Sequence, residues 1–488
     1  MARTEADRSV SPALPAPRRA GVLIAGLSLV ALTVAILQTA VVPILGIIAQ
    51  QLNTTSVSVS WAVTANLLAA AATTPLIGRL ADLHSKKRVL LGVLVVVLAG
   101  SVLAAVTASV PLLIAARILQ GASYALYPIS IAILREELPE ERLVSAMSVL
   151  SGTLGFGGGV GLVVTGLLMS GDAGYHRVFW LTTAFTAVVI VVAIVIVPNR
   201  RPDAAGAIDW LGAVGLAIGL SSMLLAITQG NSWGWSHPGT VGFLVGGVGV
   251  LIGWWWWERR AADPLVSTTM LARRPILLTN LATILVGMGL YFAFLGLTQF
   301  VQMSREMAGY GFGATVLEAS VYFLLPGALT GFLVALVSGR YIDRYGARRV
   351  LVVAALAGIA GFVMLAVAHD RPWQVVLAGV LANAYISLGY GALPALVVSE
   401  VDTGETGIAT SMNAIARTIG SSVAAAVVAV LLGHQMVPSE VSFVTIFVAG
   451  AVTAALAMAL IAVSRAPDRH GDSVQTLSES RAMNHEWG

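Results

Sequence analysis

The chain has 488 residues, 57% of them hydrophobic and only 11% charged, with a mean hydropathy of +0.87. A soluble globular protein carries about 25% charged residues, so this composition belongs to a polytopic membrane protein whose solvent is mostly lipid. The formal net charge of +4 comes from arginines in short loops and not from one long basic face, which argues against a nucleic-acid partner, and the absence of cysteine excludes disulfides, a thiol nucleophile and thiolate metal ligation.

Residues 1–19 are polar, with Pro12, Pro15, Pro17 and four arginines, and read as a disordered cytoplasmic tail. Fourteen apolar segments long enough to span a membrane follow, near 20–44, 58–78, 89–108, 112–134, 143–168, 178–197, 208–228, 239–257, 276–301, 316–338, 350–368, 373–397, 407–432 and 442–463. No small-residue cleavage site follows the first, so it is expected to stay as a membrane helix. Residues 465–488 form a second polar tail. Loop charge sets the orientation. Arg18, Arg19, Lys86, Lys87, Arg88, Arg135, Arg142, Arg200, Arg201, Arg259, Arg260, Arg273, Arg274, Arg348 and Arg349 fall on one side, and only Arg177, Arg305 and Arg371 on the other. This asymmetry predicts a cell-membrane protein with both termini cytoplasmic. Trp254 to Trp257, and Trp233 with Trp235 at the other end of the same hairpin, read as interfacial aromatic belts.

Two charged hinges repeat. Gly78-Arg79-Leu80-Ala81-Asp82 runs into Lys86-Lys87-Arg88, and 261 residues later Gly339-Arg340-Tyr341-Ile342-Asp343 runs into Arg348-Arg349. Each is expected to be a tight turn at the cytoplasmic face. The glycine lets two helices approach, the aspartate accepts from a helix N-terminus or an arginine, and the basic cluster anchors the loop. The repeat widens to Pro128–Gly155 and Pro394–Gly420, which share an apolar helix, an acidic loop and a small-residue helix carrying Ala146-Met147 or Ser411-Met412. These hinges resemble the loop motif of the major facilitator superfamily. Asp209-Trp210-Leu211-Gly212, Thr228-Gln229-Gly230 and Pro264-Leu265 are similar to pieces of its fourteen-helix drug:proton antiporter branch. The resemblance implies an all-α membrane fold. Its parts would be an N-terminal six-helix bundle over 20–200, an inserted helix pair over 201–262 and a C-terminal six-helix bundle over 263–464, around a central path.

In the fourth segment Arg117, Gln120, Gly121 and Tyr124 share one helical face. An arginine inside a membrane costs at least ~2.5–3.5 kcal/mol, so it is expected to face a cavity or to pin helices through carbonyls. The stretch resembles the family's R-x-x-x-Q-G helix, in which the arginine is tied to proton coupling. In the first segment Gln38 stands where the branch usually has a titratable aspartate, and Pro43 where it has asparagine. Glutamine cannot titrate. Gly152, Gly155, Gly157, Gly158, Gly159 and Gly161 suit close helix packing, with Gly155 and Gly159 as its centre. They resemble the family's antiporter motif, with Phe156 at its proline position.

No acidic residue lies in the middle of a predicted helix. Glu318, near the outer mouth of the tenth segment, is therefore the remaining candidate proton carrier, with a solvated helix-terminal acid as the alternative reading. Asn413 and Arg417 lie on one face of the thirteenth, and with Arg117 they would give the cavity a positive potential suited to a substrate with a carboxylate or other anionic group. Asn66, Asn280, Tyr291, Gln299, Asn383, Tyr385 and Tyr390 are further polar or aromatic positions within helices, some of which are expected to line the cavity.

The expectation is a secondary exporter of drug-like or natural-product molecules, not an enzyme. It would need no cofactor or metal beyond a coupling proton, and no partners beyond a small amphipathic substrate and membrane lipids. An uncoupled facilitator or a lipid flippase on the same scaffold are the alternatives. An ATP-driven pump is disfavoured, because no G-x-x-x-x-G-K-[ST] loop is present.

Overall fold

In lipid each backbone amide must be satisfied within its own segment, so an apolar run of about twenty residues folds as a helix. The computed structural model describes residues 17–169, 174–200, 206–433 and 438–464; the two polar tails lie outside the described residues, save the start of the first helix. Fourteen of its helices are long and apolar enough to cross a membrane: α1 (Arg19–Thr39), α2 (Trp61–Leu83), α3 (Lys86–Val106), α4 (Val110–Glu137), α5 (Glu141–Leu168), α6 (His176–Ile196), α7 (Trp210–Trp233), α8 (Pro238–Glu258), α9 (Arg274–Gln302), α10 (Ala319–Ile342), α11 (Ala347–Val367), α12 (Pro372–Val398), α13 (Thr406–Leu432) and α14 (Glu440–Val463). The even number puts the start of α1 and the end of α14 on one side, the tail face.

The helices sort into two groups of six. In the first, α1 packs on α5 and α6, α2 on α4, and α3 on α4 and α6; in the second, α9 packs on α12, α13 and α14, α10 on α12, and α11 on α12 and α14. The groups meet along two seams. One is α5 against α10 and α12; the other is α2 and α4 against α13. The inserted α7 packs on α8 and also on both α2 and α13, so it lies over the second seam.

Several boundaries differ from the sequence expectation. The first span stops at Thr39 and not at residue 44, and a short helix over Leu45–Gln51 follows. Pro43 explains this, since it disfavours a helical residue before it and removes a backbone donor. The two charged motifs are not loops. Gly78 and Asp82 sit in the last turns of α2, which runs to Leu83, and the helix of α10 continues to Tyr345. Arg79-Leu80-Ala81 holds nothing that breaks a helix. The turns are only His84-Ser85, where Ser85 Oγ caps the next helix, and Gly346, at φ +81°. Trp256 and Trp257 face outward at the tail face as an interfacial belt would, but Trp254 is buried and donates to Glu258 Oε1 at 3.0 Å, while Trp257 donates to Asp209 Oδ2 at 2.7 Å.

Candidate functional site

A cavity of about 580 Å³ lies between the two groups of helices. Its walls come from α1, α2, α4, α5, α7, α9, α10, α12 and α13, mostly from the halves remote from the tail face, so it is displaced toward the far face. Gln38, Asn66, Arg117, Tyr124, Gly155, Gly159 and Arg417 all line it, as do Tyr291, Asn383 and Tyr390. The structure thus brings together most of the polar residues that the sequence singled out.

Arg117 is buried at 2% exposure. Its guanidinium donates to Gln120 Oε1 at 2.6 Å and to the carbonyls of Leu37 and Ala62, each at 3.3 Å. Gln120 does not reach the cavity; it steers the arginine while its own amide donates to Ser101 Oγ at 2.9 Å. Asn66 donates to the Arg117 carbonyl at 2.8 Å, tying α2 to α4. Arg417 is 8% exposed and lies over the rings of Tyr390 and Tyr127, 4.8 and 5.2 Å from their centroids. Two aromatic faces hold a guanidinium without neutralising it.

Two of the expected residues lie elsewhere. Asn413 is buried between α13 and α9, where it donates to Asn280 Oδ1 at 2.9 Å and Thr283 Oγ1 at 2.8 Å, so it joins helices and does not line the cavity. Glu318 is exposed at the start of α10. Its carboxylate accepts from Thr315 N at 2.8 Å and Thr315 Oγ1 at 2.9 Å, and these bonds hold its pKa below the usual carboxylate value. It caps its own helix and does not touch the cavity.

Between the cavity and the tail face the two groups are locked together. Pro394 has no N–H, so the carbonyl four residues back, Tyr390 O, has no intrahelical donor. Two donors from the other group take its place, Ser151 Oγ at 2.9 Å and Tyr127 Oη at 3.2 Å, and the two hydroxyls also bond each other. Nearer the tail face Asp82 accepts from Gly407 N at 2.8 Å and Ile408 N at 2.9 Å, placing its carboxylate on the N-terminus of α13. Arg135 donates to the Val401 carbonyl at 2.6 Å and Thr406 Oγ1 at 2.7 Å.

The glycines of the repeat seal the same seams. A Cβ on Gly78 would meet Ser411 Oγ at 2.2 Å, and one on Gly339 would meet the Ser145 Cα at 2.4 Å. One on Gly152 would meet Ala335 Cβ at 2.2 Å, and one on Gly159 would meet Ala328 Cβ at 2.8 Å, so the glycine row of α5 is what allows α10 to approach. Arg88, Arg348 and Arg349 are exposed, and the side chain of Asp343 lies outside the described residues.

Sequence reasoning missed the contribution of the inserted pair. Thr228, Gln229, Asn231 and Ser232 of α7 line the cavity. Gln229 donates to Thr64 Oγ1 on α2 at 3.1 Å, and Asn231 donates to the Ala426 carbonyl on α13 at 3.0 Å.

Residues 27–425 match the Major Facilitator Superfamily. The chain is 25% identical over 400 residues to the multidrug resistance protein B homolog of Mycobacterium tuberculosis, covering 80% of this chain and 72% of that protein. It is 26% identical over 399 residues to the tetracenomycin C resistance and export protein of Streptomyces glaucescens, covering 80% and 71%. Its structure is similar to that of the human organic anion transporter MFSD10 (TETRAN), with a TM-score of 0.62 at 15% identity over 92% of this chain and 100% of that one. It is also similar to the nucleoside transporter NupG, with a TM-score of 0.56 at 16% identity over 90% and 99%. At such identities these two likenesses speak for the fold. Fourteen apolar helices in two packed groups of six plus an inserted pair, and a family match across most of the length, lead to one conclusion: the chain is a multi-pass membrane protein that belongs to the Major Facilitator Superfamily of transporters.

Proposed function

We propose that the protein exports drug-like or natural-product small molecules across the cell membrane by alternating access, with the tail face in the cytoplasm. The observation that carries this reading is the cavity between the two bundles, displaced toward the far face and closed on the tail side by the Asp82, Arg135 and Tyr390 contacts. That arrangement suits a carrier caught facing outward, ready to rock about a midplane site. The arginine asymmetry of the loops supports a cytoplasmic tail face. Relatives named for multidrug resistance and for tetracenomycin C export support the direction. The position of α7 over the seam between α2 and α13 favours an enclosed small molecule over a lipid flipped through a lateral opening. Proton influx, implied by the family branch, supplies the drive in this reading, or the membrane potential does where the substrate is charged.

Two measurements test the proposal. An impermeant thiol reagent is expected to label Ser85→Cys only from the cytoplasmic side. Cells producing the chain are expected to lower their content of amphipathic dyes by an ATP-independent route that Gly78→Leu abolishes. Equal dye content with and without the chain, across anionic, neutral and cationic dyes, refutes export.

A further inference from the structure

We infer that the transported species is an organic anion, whose negative group is held by Arg417 with help from Arg117. The inference rests on the export reading and names its substrate class. Among the residues that line the cavity, Arg117 and Arg417 are the charged ones, and no aspartate or glutamate joins them. The sequence makes the point for the whole set of spans: Asp82, Glu136, Glu137, Glu141, Glu258 and Glu440 each lie within two residues of a span end, and no other acid falls inside a span. Two fixed cations thus stand inside the spans with no fixed anion to answer them.

The two arginines are not equivalent. Arg117 fits the structural alternative, since its guanidinium is engaged by two carbonyls and Gln120. Arg417 does not. Among the described residues its guanidinium meets two ring faces, with the Tyr127 hydroxyl nearby, and the cavity. Stacked in this way the planar fork is pre-organised, with donors free for bidentate binding of a carboxylate, sulfonate or phenolate. Tyr124 lines the same cavity and lies within electrostatic range of both guanidinium groups. Leu290, Phe294, Leu297 and Leu324 supply an apolar wall for the remainder of the ligand.

The charge has a consequence for the drive. A monoanion leaving a cell whose interior is negative moves down the electrical gradient. A potential of about 100 mV sustains about a fiftyfold outward concentration ratio for it. A carrier of this kind needs no titrating carboxylate in its path, which accounts for glutamine at position 38 and for the retreat of every span acid to an end.

The test uses three anions (fluorescein, cholate and nalidixate) and three cations (ethidium, rhodamine 6G and tetraphenylphosphonium). Export from cells producing the full chain is expected for at least one anion and for no cation. Arg417→Gln is expected to slow that export about tenfold or more, as removal of one partner of a buried charge pair does, at equal membrane abundance and equal thermal stability. Arg417→Lys, which keeps the charge but loses the stacked bidentate fork, is expected to fall between Arg417→Gln and the parent. In proteoliposomes a potassium diffusion potential, negative on the tail side, is expected to accelerate anion export with no pH gradient present. Export of cations as well as anions, an Arg417→Gln variant as active as the parent, or anion export indifferent to the potential overturns the inference and leaves the export reading standing. Export of none of the six overturns the export reading, and the inference falls with it.

Discussion

The carbonyl that Pro394 frees gives the sharpest test of how the tail side is closed. Tyr390 O accepts from Ser151 Oγ and Tyr127 Oη across the bundle interface. Ser151→Ala or Tyr127→Phe alone leaves the other donor in place, and each is expected to weaken the tail-closed state by about 1 kcal/mol, a fivefold shift toward the tail-open state. Both together orphan a buried carbonyl, which adds about 1–3 kcal/mol, so the double change exceeds the product of the singles. Pro394→Ala restores an N–H to the helix. In that background the carbonyl keeps a donor, and the double change is expected to lose its excess. The chain has no cysteine, so a single Ser148→Cys reports the equilibrium. Ser148 is 1% exposed against Gly391 of the other bundle, and its hydroxyl has no hydrogen-bond partner to lose. Its labelling rate by an impermeant maleimide, applied from the tail side, measures the open fraction. Unchanged labelling in the double variant, or an excess that persists with Pro394→Ala, refutes this account of the latch.

The same reporter reads the outer part of the latch. Asp82→Asn gives up an anionic acceptor at the N-terminus of α13, where a bond to a charged group is worth about 1.5–3 kcal/mol, and labelling is expected to rise about tenfold. Gly152→Val drives a Cβ toward Ala335, an overpacking worth about 1–3 kcal/mol, and is expected to part α5 from α10 and raise labelling likewise. Glu318→Gln is expected to leave transport and its response to a pH gradient within twofold of the parent, since the carboxylate caps a helix. Its pKa in the folded state is depressed from 4.5, so its contribution to stability is present above that pH and is lost as pH falls through the folded value. The melting temperatures of parent and variant are therefore expected to converge in acid, and a gap that widens there contradicts the cap.

What the sequence made legible follows from what is rare in lipid. Fourteen apolar runs are hard to mistake, and a glycine with an aspartate four residues on, repeated in both halves, marks the places where bundles touch. Arg117 and Arg417 stand out because an arginine in a membrane needs a polar setting. Glu318 drew attention because acids in spans are scarce, and the structure places it as the helix-terminal acid of its alternative reading. A sequence signal for that role was present, a threonine three residues before a glutamate at a helix start, which is a capping pattern. The polar end of α7 was overlooked for a different reason. Thr228, Gln229, Asn231 and Ser232 lie close to a helix terminus, where polar residues need no explanation, and periodicity does not tell which helix borders a gap between bundles. Pro394 was visible in the sequence, but only packing shows what its freed carbonyl meets.

In the proposed rocking of the two bundles the inserted pair would move with one of them, and the contacts indicate which. Toward α2, helix α7 makes the Gln229–Thr64 bond, a bond from Ser221 Oγ to the Leu68 carbonyl at 3.3 Å, and the Trp61–Trp233 ring contact at 6.4 Å. Toward α13 it makes the bond from Asn231 to the Ala426 carbonyl, and it packs more extensively on α2 than on α13. Helix α7 is therefore expected to travel with the N-terminal bundle, and the Asn231 bond is expected to break as the far side closes. Asn231→Ala then removes about 1 kcal/mol from the far-facing state alone, and labelling of Ser148→Cys from the tail side is expected to rise about fivefold. Ser221→Ala touches a contact present in both states and is expected to leave the rate unchanged. Equal effects of the two substitutions would mean that α7 is not carried by the N-terminal bundle.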